Sequence, residues 1–125
     1  TIQWLKARGI LVALCTSNAM PALRNRFQRA DIDMKWFSAM STAESQYTKP
    51  DPRALDETFK KTKVLREHAV YVGDWLPDLE TARGGGVRFV AVLSGGVSRE
   101  DFLKEGVEDD HILERLDKII PLIQT

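Results

Sequence analysis

A single cysteine, Cys15, stands in the 125 residues. No disulfide can form within the chain, and a zinc site built on several thiolates is excluded. No apolar run is long enough to cross a bilayer, and no signal-peptide pattern opens the sequence. Excess charge is missing too. Eighteen basic residues balance eighteen acidic ones, so there is no broad footprint for nucleic acid or an anionic membrane. Any affinity for phosphate must therefore come from a local site. Repeats, low-complexity tracts and interdomain linkers are also lacking. Hydrophobic residues make up 43% and charged residues 29%, which suits one ordinary globular domain with a real core. A cytoplasmic location is the default expectation. The chain opens at Thr1 and runs straight into a helix, so an upstream piece is expected.

What is present is a strand–helix alternation. Ile2, Leu5 and the stem of Lys6 fit a short helix stopped at Gly9. Ile10 to Cys15 is a continuous apolar run ending in Thr16-Ser17-Asn18, the pattern of a strand buried on both faces of a parallel sheet. Pro21 fits the first turn of a helix over about 20–30. Trp36 to Ser41 reads as a weaker strand, and a polar loop then leads to Lys49-Pro50. Asp51 and Pro52 start a helix that buries Leu55 and Phe59. Ala69 to Val72 is a clear strand ending in Gly73-Asp74, Pro77 opens another helix, and Gly84-Gly85-Gly86 closes it. Val87 to Leu93 is the next strand. Ser98 and Asp101 form a capping box for a helix stopped by Gly106. From His111 to Ile123 the pattern gives a short strand and a final amphipathic helix. The expected fold is α/β: a three-layer, Rossmann-like parallel sheet with helices on both faces.

In such sheets, ligands bind at the carboxyl ends of the strands. Thr16, Lys49 and Asp74 all fall at those ends, so they should share one edge. A hydroxyl at Thr16 can donate to a phosphoryl oxygen, and the amides of Ser17 and Asn18 at the next helix start favour an anion. Lys49 is a point charge suited to a transferring phosphoryl group. Asp74 and Asp78 supply hard oxygen ligands of the kind magnesium takes with waters and substrate phosphate. Singly, each has a plainer use: Thr16-Ser17-Asn18 as a helix cap, Lys49 as a solvated loop lysine, Asp78 as a contact with a helix dipole. Asp74 is harder to dismiss, because a carboxylate closing a buried strand needs partners.

On these residues the chain resembles the haloacid dehalogenase-like superfamily, particularly its phosphoglycolate-phosphatase-like branch. The matching segments are Leu14 to Asn18, Lys49 to Pro52, Tyr71 to Asp78, Thr81 to Val87 and Ser98 to Leu103. Trp75 departs from the pattern, where a small polar residue is common. The resemblance implies that Thr16 binds phosphate with Ser17, Asn18 and Lys49. It implies further that Lys49 stabilises phosphoaspartyl chemistry, and that Asp74 and Asp78 hold Mg2+ directly or through water. It also implies an earlier strand ending in Asp-x-Asp, which carries nucleophile and acid–base, followed by a cap domain. Neither lies within residues 1–125, which then form a partial core domain without its central strand. Two inner strand edges would stand open, to be completed by an N-terminal segment or in a homo-oligomer.

Asp31-Ile32-Asp33 spells the triplet, but Gln28-Arg29-Ala30 before it is no buried strand. Asp109-Asp110-His111 reads as a solvated charge run, and His68 as the lead into a strand. The expected activity is a magnesium-dependent phosphatase of small phosphorylated metabolites. The alternative is a non-catalytic phosphate-binding or protein-interaction module on the same scaffold. Dehalogenation of small acids fits less well, because Asp74 and Asp78 together suit a metal.

Overall fold

The computed structural model describes residues 1–124. Its strands are short and all paired in parallel. Strand β1 (Ala13–Cys15) pairs with β2 (Ala39–Ser41), placing Cys15 opposite Ser41. Strands β3 (Val70–Gly73), β4 (Arg88–Val92) and β5 (Ile112–Leu113) form a second sheet in that order. Among the described residues, no ladder joins β1 to β3. That break falls where the sequence resemblance puts an additional strand, and it leaves β1 and β3 each with one unpaired edge.

Helices α1 (Ile2–Ala7), α2 (Met20–Arg29), α3 (Asp56–Thr62), α4 (Leu76–Gly84), α5 (Arg99–Lys104) and α6 (Ile119–Gln124) lie before, between and after the strands, on both sides of the sheets. The alternation and its order follow the sequence expectation. Differences are local. The apolar run from Ile10 forms only three residues of ladder, and Leu11 is 53% exposed. β1 is paired along one edge only, so no neighbouring strand covers its other flank. Met34–Trp36 is a 3-10 turn, so the second strand starts at Ala39. After Asp51, whose carboxylate accepts from the Arg53 amide, the chain makes a 3-10 turn over Pro52–Leu55 before α3. Helix α1 buries none of its residues.

The centre of the molecule is β4. Its residues Phe89 to Val92 are all buried because β4 has a strand on either side. Alternation sends Phe89 and Ala91 to one face, where they meet Leu55, Leu79, Ala82, Phe102 and Ile112. Phe89 packs its ring on both Tyr71 and Phe102, each with centroids 6.1 Å apart. A separate contact, Phe27 stacked on Phe37 at 5.3 Å, holds α2 to the approach of β2. Of the three glycines closing α4, only Gly86 takes a positive φ, 71°. That left-handed residue reverses the chain into β4.

Phe102 is fully buried and its ring has no solvent to turn to. Phe102→Ala should cost about 3–5 kcal/mol of unfolding free energy by denaturant titration, whereas Leu65→Ala, at a position 58% exposed, should change it by less than about 0.5 kcal/mol.

Candidate functional site

The corner from β3 into α4 does most of the positioning. Gly73 ends the strand, Asp74 and Trp75 turn, and Leu76-Pro77-Asp78 form the first helical turn. Proline fits there because its missing N–H would have no helical partner. Asp78, 4% exposed, folds back so that Oδ2 accepts the Trp75 amide at 3.2 Å. Its Oδ1 accepts two more bonds, from Lys49 Nζ at 2.7 Å and from the Tyr71 hydroxyl at 3.0 Å. Gly73 makes room for this, since a Cβ on it would stand 2.5 Å from Asp78 Cβ and 2.8 Å from Oδ2. Side-chain exposures of 10% for Lys49 and 6% for Asp78 make theirs a buried ion pair.

Lys49 arrives from the loop after β2, and its peptide bond to Pro50 is cis. Thr16 follows β1, with its amide bonded to the Ser41 carbonyl at 2.9 Å. Its Oγ1 accepts from the Asn18 amide at 3.1 Å, which leaves the hydroxyl proton free to donate elsewhere. Cys15, next to Thr16, feels the charges of both Lys49 and Asp78. The carboxyl ends of β1 and β3 and the loop after β2 therefore meet in one region.

The two aspartates differ. Both oxygens of Asp78 are engaged by protein donors. Asp74 is half-buried, and among the described residues its carboxylate has no hydrogen bond or ion pair. The chain presses on it at Gly95, where a Cβ would lie 2.9 Å from the Asp74 carbonyl and 3.0 Å from its carboxylate. A half-buried carboxylate with open lone pairs is costly unless a cation or water satisfies it. Asp74 thus fits a divalent cation directly, while Asp78 faces Lys49.

The start of α2 is less open than its sequence implies. The Met20 amide is taken by Glu44 Oε1 at 2.7 Å, and this bond, more than any other effect, lowers the Glu44 pKa. Ser17 is exposed and Asn18 half-buried there. Sequence reasoning passed over Tyr71, Glu44 and Gly95. A tyrosine inside an otherwise aliphatic strand was the available signal for Tyr71, since a buried phenol seeks a partner. Asp31, with φ 54°, lies in the turn after α2, and Asp33 caps the next turn through the Lys35 amide. Neither ends a strand. Two open cavities, of about 340 Å³ beside β2 and α3 and about 300 Å³ beside Arg53 and Arg66, include none of Thr16, Lys49, Asp74 or Asp78. A second acidic grouping, Glu108, Asp110 and His111, is exposed or half-buried well along the chain. No helix among the described residues is long and apolar enough to cross a membrane.

The family model for haloacid dehalogenase-like hydrolases matches residues 1–92, and the chain belongs to that family. Among curated proteins, phosphoglycolate phosphatase 1 of Pseudomonas aeruginosa is 32% identical over 102 residues, covering 76% of this chain and 35% of that protein. The phosphoglycolate phosphatase of Pseudomonas savastanoi pv. phaseolicola is 28% identical over 128 residues, covering 97% and 44%. A hydrolase from Pseudomonas syringae superposes with a TM-score of 0.84 over 98% of this chain and 58% of its own, at 19% identity. The first agrees with the resemblance to the phosphoglycolate-phosphatase branch, and the last shares the α/β fold. The chain spans between about a third and about half of the length of the curated relatives it matches.

Burial raises the Cys15 pKa above its usual 9.0, against the lowering effect of the Tyr71 hydrogen bond and the Lys49 charge. Burial also raises that of Tyr71 well above its usual 10.0, helped by the neighbouring charges of Cys15 and Asp78. Both groups hold their protons more tightly folded than unfolded. Their contribution to stability is therefore complete below pH 9 and declines as pH rises past 9 and then 10. Urea midpoints should fall between pH 9 and pH 11, and a Cys15→Ser, Tyr71→Phe double variant should show a shallower fall. Gly73→Ala, which pushes into the Asp78 carboxylate, should cost about 1–3 kcal/mol in the same titration at neutral pH.

Proposed function

We propose that this chain forms the phosphate- and magnesium-binding part of a phosphatase acting on small phosphorylated metabolites. The observation that carries the reading is a largely covered lysine held on one aspartate, Asp78, four residues after a second aspartate, Asp74, whose oxygens are open. Lys49 neutralises charge on phosphoryl oxygens, and the Thr16 hydroxyl with the Ser17 and Asn18 segment orients them. Asp74 holds Mg2+, with Asp78 acting through Lys49 or a bridging water. When bound, the metal supplies electrostatic stabilisation of the phosphoryl group. The family membership and the phosphoglycolate phosphatases among the relatives support this assignment.

In this reading Thr16, Lys49, Asp74 and Asp78 are all assigned to holding phosphate, charge or metal, which leaves the phosphoryl-enzyme intermediate to another residue. We place the nucleophile on a strand ending in Asp-x-Asp, seated against the unpaired edges of β1 and β3. It comes from an N-terminal segment of a longer protein; a homo-oligomer would close the open sheet edges without bringing such a strand. Residues 1–125 are then a partial core domain. A cytoplasmic setting, where the free Cys15 thiol stays reduced, goes with this proposal.

Calorimetry with magnesium and orthophosphate tests the site. The wild-type chain should bind phosphate more tightly once magnesium is present, and Asp74→Ala should lose that enhancement. Equal behaviour of the two would overturn Asp74 as the metal ligand. Turnover tests the missing group. The 125-residue chain should hydrolyse an aryl phosphate on the order of a millionfold more slowly than a longer parent carrying the Asp-x-Asp strand. Ready turnover by the short chain, abolished by Asp31→Asn, would place the nucleophile at Asp31. A longer parent inactive on a broad panel of phosphate esters would favour a non-catalytic binding module.

A further inference from the structure

We propose that Tyr71 is a positioning residue: its phenol locks the Asp78 carboxylate onto the Lys49 ammonium and so fixes where that charge meets a phosphate. The inference rests on the phosphate-site reading above and assigns a role to a residue that reading does not use.

The geometry is specific. Asp78 Oδ1 receives Lys49 Nζ at 2.7 Å and the Tyr71 hydroxyl at 3.0 Å, while Oδ2 receives the Trp75 amide at 3.2 Å. The three donors come from three separate segments: the loop after β2, strand β3, and the corner into α4. An aspartate carboxylate rotates readily about its last torsion, which is broad and roughly two-fold. One backbone donor on Oδ2 and one mobile lysine on Oδ1 would leave that rotation weakly restrained. The phenol is different, because it hangs on a short, two-torsion side chain from strand β3 and rests against a core ring. It is packed on Phe89 with centroids 6.1 Å apart, and Phe89 is buried in the central strand. The rigid donor therefore sets the carboxylate plane, and the carboxylate sets the ammonium. Lysine needs such an anchor more than arginine does, since its charge ends a flexible four-carbon stem. Gly73 lets the Asp78 side chain sit this close to the end of β3, where a Cβ would stand 2.5 Å from Asp78 Cβ. Asp74 remains the carboxylate with open oxygens.

Tyr71→Phe removes one hydroxyl and keeps the ring against Phe89. Val72→Ala, on the same strand but outside the network, controls for lost stability. Two readouts on the full 125-residue chain separate positioning from packing. The first is the solvent-exchange rate of the Lys49 ammonium by NMR, its signal assigned by its loss in Lys49→Met. The second is the affinity for orthophosphate in saturating magnesium. Tyr71→Phe should speed ammonium exchange and weaken phosphate binding, each by about fivefold, the usual worth of one hydrogen bond. Val72→Ala should change neither. Unchanged exchange and affinity in Tyr71→Phe, with phosphate binding lost in Lys49→Met, would overturn the role of Tyr71 and leave the site intact. Equal phosphate binding by wild type and Lys49→Met would overturn the site reading itself.

Discussion

Lys49 and Asp78 meet at 2.7 Å with little of either side chain exposed, and a buried pair of this kind constrains everything around it. Two charges taken out of water are tolerated only when geometry is good and the remaining lone pairs are satisfied. Removing one partner of such a pair typically costs about 3–5 kcal/mol, because the other charge is stranded. The chain therefore has to deliver an ammonium and two further hydrogen-bond donors, the Tyr71 hydroxyl and the Trp75 amide, to a single carboxylate. That demand explains a glycine at 73 and a tyrosine at 71. It also explains a helix start that folds its own aspartate back onto the Trp75 amide.

The same pair divides the work between the two aspartates. Asp78 is spent on holding a positive charge in place. Asp74, four residues earlier and outside the network, keeps its oxygens open under the close approach of Gly95. Under the proposed reading, the held lysine and the open carboxylate together offer a phosphate ester a fixed cation and a place for a second, mobile one. The electrostatic cost of the pair is met by the fold before any ligand arrives, which is the usual meaning of a preorganised site. Behind it, β4 and its ring contacts carry the stability that lets the corner be so tightly specified.

Much of the fold was legible because parallel strands write themselves as apolar runs closed by glycine or a polar turn. Val87 to Leu93 and Ala69 to Val72 showed this plainly, and both are strands. Ile10 to Cys15 had the same signature but forms only three residues of ladder. An apolar run records a demand for burial on both flanks, and β1 has a paired neighbour on one side only. Within the site, position along the chain brought Thr16, Lys49, Asp74 and Asp78 to the carboxyl ends of strands. It could not say which carboxylate faces the lysine, since residues four apart across a turn can point together or apart. Nor could it show that Glu44, 24 residues from Met20, reaches back to the start of α2. Contacts of that separation leave no local pattern.

The central claim is that Asp74 is where a divalent cation enters. Manganese, as a paramagnetic stand-in for magnesium, tests it through distance-dependent broadening of backbone NMR signals in the 125-residue chain. At substoichiometric metal, the signals of Asp74, Gly95 and Thr16 should broaden first. Broadening centred instead on Glu108, Asp110 and His111, with the β3–α4 corner left sharp, would contradict the account.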